Sequence, residues 1–181
     1  MNYATIKKFD IANGPGVRVS LFVSGCRHRC KNCFNPEAWD FNYGKEFNDK
    51  VIDDIINSLS PEHIQGFSLL GGEPLEPENQ SGVLKLLKKI KEAFPDKDVW
   101  CYSGFTFDEL IESNDIITEI LQLIDVLVDG KFVEELKDPS LLFRGSSNQR
   151  IIDVKRSLDE CKVFLLDGKW SRKMGSTDIY E

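Results

Sequence analysis

Hydrophobic and polar positions along the chain follow two interleaved rhythms, one with strand period and one with helix period. Residues 17–23, Val-Arg-Val-Ser-Leu-Phe-Val, are a β-branched and aromatic run with partial alternation, read as the first strand. Residues 48–59 fit a helix, because Val51, Ile52, Ile55, Ile56 and Leu59 fall on one face and Pro61 follows the end. A short buried strand at 66–70 runs into Gly71-Gly72. Residues 83–94 read as a second helix, with Val83, Leu87, Ile90 and Phe94 inward and Lys85, Lys88 and Lys89 outward. Further strands are predicted at 98–102, 125–128, 150–154 and 161–166, the last two as a terminal hairpin. Between them, Thr106-Phe-Asp-Glu109 matches a capping box, in which Thr106 accepts from the Glu109 amide and Glu109 reaches back.

Six strands alternating with helical segments predict an α/β fold with a mostly parallel sheet. A full eightfold barrel needs roughly 250 residues, and this chain has 181. The expectation is therefore an incomplete, partial TIM-type barrel of about six βα units, open on one side. One domain is expected over 1–181, with its core at 3–166 and a polar C-terminal tail at 167–181.

Composition narrows the classes. Hydrophobic residues at 41% and charged residues at 29% suit a globular chain rather than a disordered one. Thirty acidic against 23 basic side chains, a net charge of -7, argue against a broad nucleic-acid surface. A local basic patch at Arg27, His28, Arg29 and Lys31 is compatible with that balance. The longest apolar stretch, 116–128, is interrupted by Glu119, Gln122 and Asp125 and is too short to span a membrane. No signal-peptide core opens the chain, so a cytoplasmic, reducing location is expected, with no membrane and no nucleic-acid partner. There the five cysteines read as ligands or free thiols rather than as disulfides.

Three of those cysteines stand together directly after the first predicted strand, in Cys26-Arg-His-Arg-Cys30-Lys-Asn-Cys33. Three thiolates on one short loop can converge on one inorganic centre. A structural zinc site is closed by four protein ligands, and no fourth Cys or His follows at zinc-finger spacing. A cluster held by three cysteines keeps one iron open. His28 lies inside the loop, poorly placed to reach the same metal, and His63 reads as a surface residue. A zinc-stabilised interaction module without catalysis is the alternative from another class. Cys101 and Cys161 lie in strand-like runs and read as small buried apolar residues.

The Cx3Cx2C loop resembles the signature of the radical S-adenosylmethionine superfamily. That resemblance implies a 4Fe–4S cluster on Cys26, Cys30 and Cys33, the open iron taking the amino and carboxylate groups of S-adenosylmethionine. It implies reductive cleavage to methionine and a 5′-deoxyadenosyl radical, chemistry that belongs to a cofactor and not to side chains. Where the superfamily commonly has an aromatic residue before the third cysteine, this chain has Asn32; Phe34 is expected to supply the adenine contact, with the 32–34 backbone reading the base edge. Gly71-Gly72-Glu73-Pro74 resembles the superfamily's GGE motif, whose backbone and carboxylate bind the cofactor's ammonium group. Glycines there permit positive φ and close backbone approach. Ser103 and Asp129 follow predicted strands, where α/β folds collect ligands; contact with the cofactor and ordinary turn chemistry are both open for them.

Four further stretches look like the activases that install glycyl radicals, in the subgroup that serves anaerobic (class III) ribonucleoside-triphosphate reductase. They are Asn13-Gly-Pro-Gly-Val-Arg18, 100–106, 125–132 and Arg144-Gly-Ser-Ser-Asn-Gln-Arg150. The resemblance implies hydrogen abstraction from a glycine of that reductase. Asn13, Gly14, Arg18, Arg144 and Asn148 are expected on the docking surface, and a low-potential donor such as flavodoxin or ferredoxin would supply the electron. An activase of another glycyl radical enzyme, such as pyruvate formate-lyase, is the alternative within enzymes.

Overall fold

Strands rich in Val, Leu, Ile and Phe that are buried on both faces suit the middle of a sheet, and four of them run parallel through the centre of this one. The computed structural model describes residues 1–166; the polar tail expected at 167–181 lies outside them. In chain order the strands are β1 (Asn2–Asp10), β2 (Val17–Val23), β3 (Lys45–Glu46), β4 (Ile64–Gly71), β5 (Asp98–Tyr102), β6 (Val126–Asp129) and β7 (Arg150–Asp153). They form one seven-stranded sheet in the order β3-β1-β2-β4-β5-β6-β7. Pairs β2/β4, β4/β5 and β5/β6 are parallel, whereas β1/β2, β1/β3 and β6/β7 are antiparallel. The α/β class holds. The sheet does not close on itself, and antiparallel strands flank its parallel centre.

Among the described residues, helices α1 (Asp49–Leu59), α2 (Pro77–Ala93), α3 (Phe107–Ile111) and α4 (Asp115–Leu123) connect strands, and α5 (Val154–Asp159) follows β7. Period-two alternation assigns the two sheet faces. Val19, Leu21, Val23, Phe67, Leu69, Val99, Cys101 and Leu127 share one core with Ile52, Ile55 and Leu59 of α1, Val83, Leu87 and Ile90 of α2, and Ile117, Ile120 and Leu121 of α4. Cys101, fully buried there, is the small apolar residue expected. Residues of the opposite parity, among them Arg18, Ser20, Ser68 and Trp100, are also buried.

Several expectations change. Strand β1 precedes the one taken as first, and the two-residue β3 lies beyond it; an edge strand whose burial alternates weakly carries little sequence signal. Helix α2 begins six residues earlier than the apolar rhythm indicated. Asn79 and Gln80 interrupt that rhythm although both are buried, because their amides donate to the Ser24, Glu73 and Leu75 carbonyls. Helix α4 occupies the apolar stretch that the sequence reading weighed only as a membrane segment. The terminal hairpin is replaced: Asp153 caps α5 by accepting from the Arg156 amide, and the chain beyond returns to β7 through a single bridge between Ile152 and Leu165. Cys161, expected in a strand and buried, is exposed in a turn with φ of 50°. The capping box at Thr106 and Glu109 forms as expected.

Arg18 is the largest departure. Expected on a docking surface, it is fully buried. A buried guanidinium must find acceptors, and they come from two neighbouring strands, β4 and β5. Nε donates to Ser68 Oγ at 2.7 Å, Nη1 to Asp98 Oδ1 at 2.9 Å and Nη2 to the Phe67 carbonyl at 2.8 Å. Gly14, expected beside it on the same surface, is buried as well. Asp98 also accepts from the Trp100 indole.

Removing Asp98 leaves the Arg18 charge buried without its ion partner, so Asp98→Ala is expected to lose about 3 kcal/mol of stability. Asp98→Asn, which keeps an acceptor, should lose less. Urea unfolding midpoints check both.

Asp125 gives a pH dependence. Burial alone would raise its carboxyl, but Lys155, Lys91 and the Val99 amide outweigh that and hold it below its ordinary 3.8. A depressed folded value stabilises the fold above the unfolded value and is lost as pH falls through the folded one. The metal-free chain should therefore lose stability below pH 3.8, and Asp125→Asn should flatten that decline in urea titrations at several pH values.

Candidate functional site

The carboxyl ends of the parallel strands converge on one cavity of about 480 Å³. Strand β2 delivers Cys26, β4 delivers Gly71, Gly72 and Glu73, and β5 delivers Tyr102, Ser103 and Gly104, all on its wall. Cys30, Asn32, Cys33 and Phe34 complete the near side. The loop between β6 and β7 covers the far side with Phe132, Leu141, Phe143 and Arg144. Parallel connections bring these segments together because each strand must restart at the same edge of the sheet.

Backbone lacing fixes the cysteine loop. After β2, the Gly25 amide donates to the Ala38 carbonyl at 2.8 Å and the Cys26 amide to the Trp39 carbonyl at 3.2 Å, drawing in the 3-10 turn Pro36–Trp39. The loop needs two residues at positive φ, Arg29 and Asn32. Cys26 is buried, and Cys30 and Cys33 are half-buried. Burial pushes the Cys26 thiol up to about 11 and also raises the Cys30 thiol. Thiolates in such a place need a positive centre to hold them. The Asn35 amide already donates to Cys33 Sγ at 3.4 Å. Among the described residues no three His, Cys, Asp or Glu side chains converge on one ion-sized point. An iron–sulfur cluster spreads its ligands over separate irons, as three thiols set round one cavity allow. Donor chemistry and cavity fit a cluster.

Glu73, 1% exposed, ties the pieces together. Its Oε1 accepts from the Leu75 amide and the Ser103 hydroxyl, both at 2.9 Å. Its Oε2 accepts from the Gly104 amide at 2.7 Å and lies 3.0 Å from His28 Nε2. The ring of His28 also packs edge-on against Phe105, with centroids 4.5 Å apart. Gly71 adopts φ of 118°, and a Cβ there would come within 2.5 Å of the Val23 nitrogen, so only glycine closes β4 this way.

The sequence-predicted residues separate into three groups. Cys26, Cys30, Asn32, Cys33, Phe34, Gly71, Gly72, Glu73 and Ser103 meet on the cavity wall, and Asn13 and Arg144 join them. Asp129 does not: 1% exposed, it accepts from Arg150 Nε at 3.0 Å and from the Phe107 amide at 2.7 Å. Turn and strand chemistry claims that carboxylate. Asn148 is exposed off the wall, donating to the Lys131 carbonyl, and Arg18 lies in the sheet. The basic patch expected at the cysteines is partly neutralised, with Arg27 paired to Glu76 and Glu78 and Lys31 to Glu135.

Sequence reasoning missed His28 as an anchor and Trp39 and Tyr102 as wall residues. A histidine inside the cysteine loop was the available signal for the first; its partner, 45 positions away, was not legible.

Residues 12–152 match a family model described as a 4Fe-4S single cluster domain. The anaerobic ribonucleoside-triphosphate reductase-activating protein of Escherichia coli (strain K12) is 50% identical over 151 residues, 82% of this chain and 96% of the relative. The protein of that name from Vibrio cholerae is 46% identical over 153 residues, 83% of this chain and 97% of its own. One from Enterobacteria phage T4 is 39% identical over 151 residues, 83% of this chain and 93% of its own.

A Cβ on Gly104 would sit 2.3 Å from the His28 ring. Gly104→Ala is therefore expected to cost about 1–3 kcal/mol by overpacking, and less in a His28→Ala background. Thermal unfolding of the four variants in a double-mutant cycle checks the contact.

Proposed function

Because the chain belongs to the 4Fe–4S single-cluster family, and within it to the anaerobic ribonucleoside-triphosphate reductase-activating proteins, we propose that it is a radical S-adenosylmethionine activase of that reductase. The observation that carries the reading is the gathering of three thiols, the Gly71-Gly72-Glu73 turn and Ser103 on one cavity at the strand ends. With one electron from a donor such as flavodoxin or ferredoxin, the cluster and S-adenosylmethionine supply methionine and a 5′-deoxyadenosyl radical, which takes hydrogen from a reductase glycine to leave 5′-deoxyadenosine and a glycyl radical.

The chain's own residues do the holding and the shaping. Cys26, Cys30 and Cys33 would hold the cluster, three thiolates for four irons, and so would leave one iron free of protein for S-adenosylmethionine. Gly71 and Gly72 let backbone approach the methionyl end without side-chain interference. Glu73, with all four of its contacts inside the fold, acts by fixing the turn, Ser103 and the cysteine loop in one arrangement. Phe34, 77% exposed beside Asn32, offers its ring to the adenine. Arg144 and Asn13, on the wall, and Asn148, on the exposed part of the same loop, face the reductase. The open sheet, read as the superfamily's shortened barrel within one domain, leaves room for a protein loop to enter. An activase of this kind is an oxidoreductase in the class of the formate acetyltransferase activase, directed at a different partner.

Reconstituted, reduced protein mixed with S-adenosylmethionine and the reductase should give a glycyl radical in electron paramagnetic resonance, with methionine and 5′-deoxyadenosine released. Serine at any of the three cysteines should remove it, together with most of the roughly four irons per chain, while far-ultraviolet circular dichroism stays unchanged. A reductase left without radical by fully loaded activase would overturn the reading.

A further inference from the structure

Among the described residues the Trp39 indole is a donor without an acceptor: its Nε1 is buried and meets no hydrogen-bond partner there. An indole N–H can only donate, and its direction is fixed by the ring. Buried donors are seldom left unpaired, so an orphan calls for a partner that the described residues do not provide. Trp39 lines the main cavity beside Cys26, Cys30 and Cys33. With Cys26 it also lines a second hollow of about 620 Å³ on the polar side of the loop. Its backbone is held in place, since its carbonyl accepts from the Cys26 amide at 3.2 Å. Orphaned Ser20, Ser24 and Asn79 atoms lie off both cavity walls. Tyr102 lines the main cavity too, but a hydroxyl can rotate and can accept as well as donate.

We infer that the Trp39 N–H donates a hydrogen bond to a sulfur of the bound cluster and thereby raises the cluster's reduction potential. A cluster on these cysteines would bring sulfur acceptors to the wall that Trp39 shares with them. Reduction adds negative charge to the cluster sulfurs, and a donor aimed at them stabilises the reduced form more than the oxidised one. The Asn35 amide at Cys33 Sγ is a second donor of the same kind, already in place. Trp39 would thus make the first electron easier to accept, a step that any low-potential donor finds difficult.

This inference rests on the cluster-binding reading, and the test separates the two. Wild type, Trp39→Phe and a variant carrying benzothienylalanine at 39, which keeps the shape and replaces the N–H by sulfur, are reconstituted anaerobically. Failure of wild type to bind about four irons and four sulfides per chain would sink the cluster reading itself. With clusters loaded, redox titration by electron paramagnetic resonance without S-adenosylmethionine should find reduction about tenfold less favourable in both variants, about 59 mV for one electron. Electron–nuclear double resonance of the reduced wild type should show an exchangeable proton coupled to the cluster, absent from both variants. If Trp39→Phe loads poorly, the benzothienylalanine protein and the proton coupling in wild type still decide. Unchanged potentials with the coupled proton retained overturn the inference. So does an unchanged potential with weakened S-adenosylmethionine binding, which would assign the donor to the cofactor's carboxylate instead.

Discussion

A carboxylate withdrawn from water must have its lone pairs satisfied by the protein, and at Glu73 that requirement organises the whole site. Three segments answer it: the cysteine loop through His28, the turn beyond β4 through Leu75, and the residues that follow β5, Ser103 and Gly104. His28 and the Ser103–Gly104 pair are far from Glu73 and from each other in sequence. None can move without leaving a buried charge short of a donor. The cysteine loop, which has no regular secondary structure of its own, thereby inherits the rigidity of the sheet, and so does the cavity it borders. Asn79 adds a second tie, its amide bridging the Ser24 and Glu73 carbonyls from inside α2.

Charge works differently at the surface and in the interior. The protein carries a net -7, yet the arginine that matters most to its architecture faces no solvent. Arg18 joins β2 to β4 and β5 at the amino-terminal half of the parallel sheet, while Glu73 joins their carboxyl ends, so the two opposite charges brace opposite ends of the same strands. Arg27 and Lys31, by contrast, are more than half exposed and paired with glutamates. Such pairs contribute little to stability, but they cancel much of the positive charge that the cysteine loop would otherwise display.

The far wall of the cavity comes from the long connection between β6 and β7, which is held by its own polar network and by Phe143 packed edge-on against Trp100. Gln149 accepts from the Gly145 and Ser146 amides and donates to the Gly130 carbonyl, and Arg144 donates to the Gln149 carbonyl. A segment built this way keeps a defined shape while presenting polar groups at the mouth. That suits a surface meeting a protein loop, and it accounts physically for the Arg144-Gly-Ser-Ser-Asn-Gln-Arg150 pattern: Gln149 is the organiser, and Arg150 leaves the loop to pair with Asp129.

Much of this was legible in the order of residues. Helix α1, strand β5 and the capping box at Thr106 follow from local periodicity and capping, which act over a few residues. The three cysteines and the Gly-Gly-Glu turn declared their chemistry because ligand type and spacing are themselves local. Strand β1, the early start of α2 and helix α5 were not legible, since a half-exposed strand next to the sheet edge and buried polar residues obscure hydrophobic rhythm. What only the tertiary structure decided was the fate of the polar side chains: Arg18 buried against Asp98 at a separation of 80 positions, Asp129 claimed by Arg150, His28 set on Glu73, Trp39 left with a donor to spend. Sequence fixes what a side chain can donate or accept; which partner answers it depends on parallel strands folding distant segments to the same edge of the sheet.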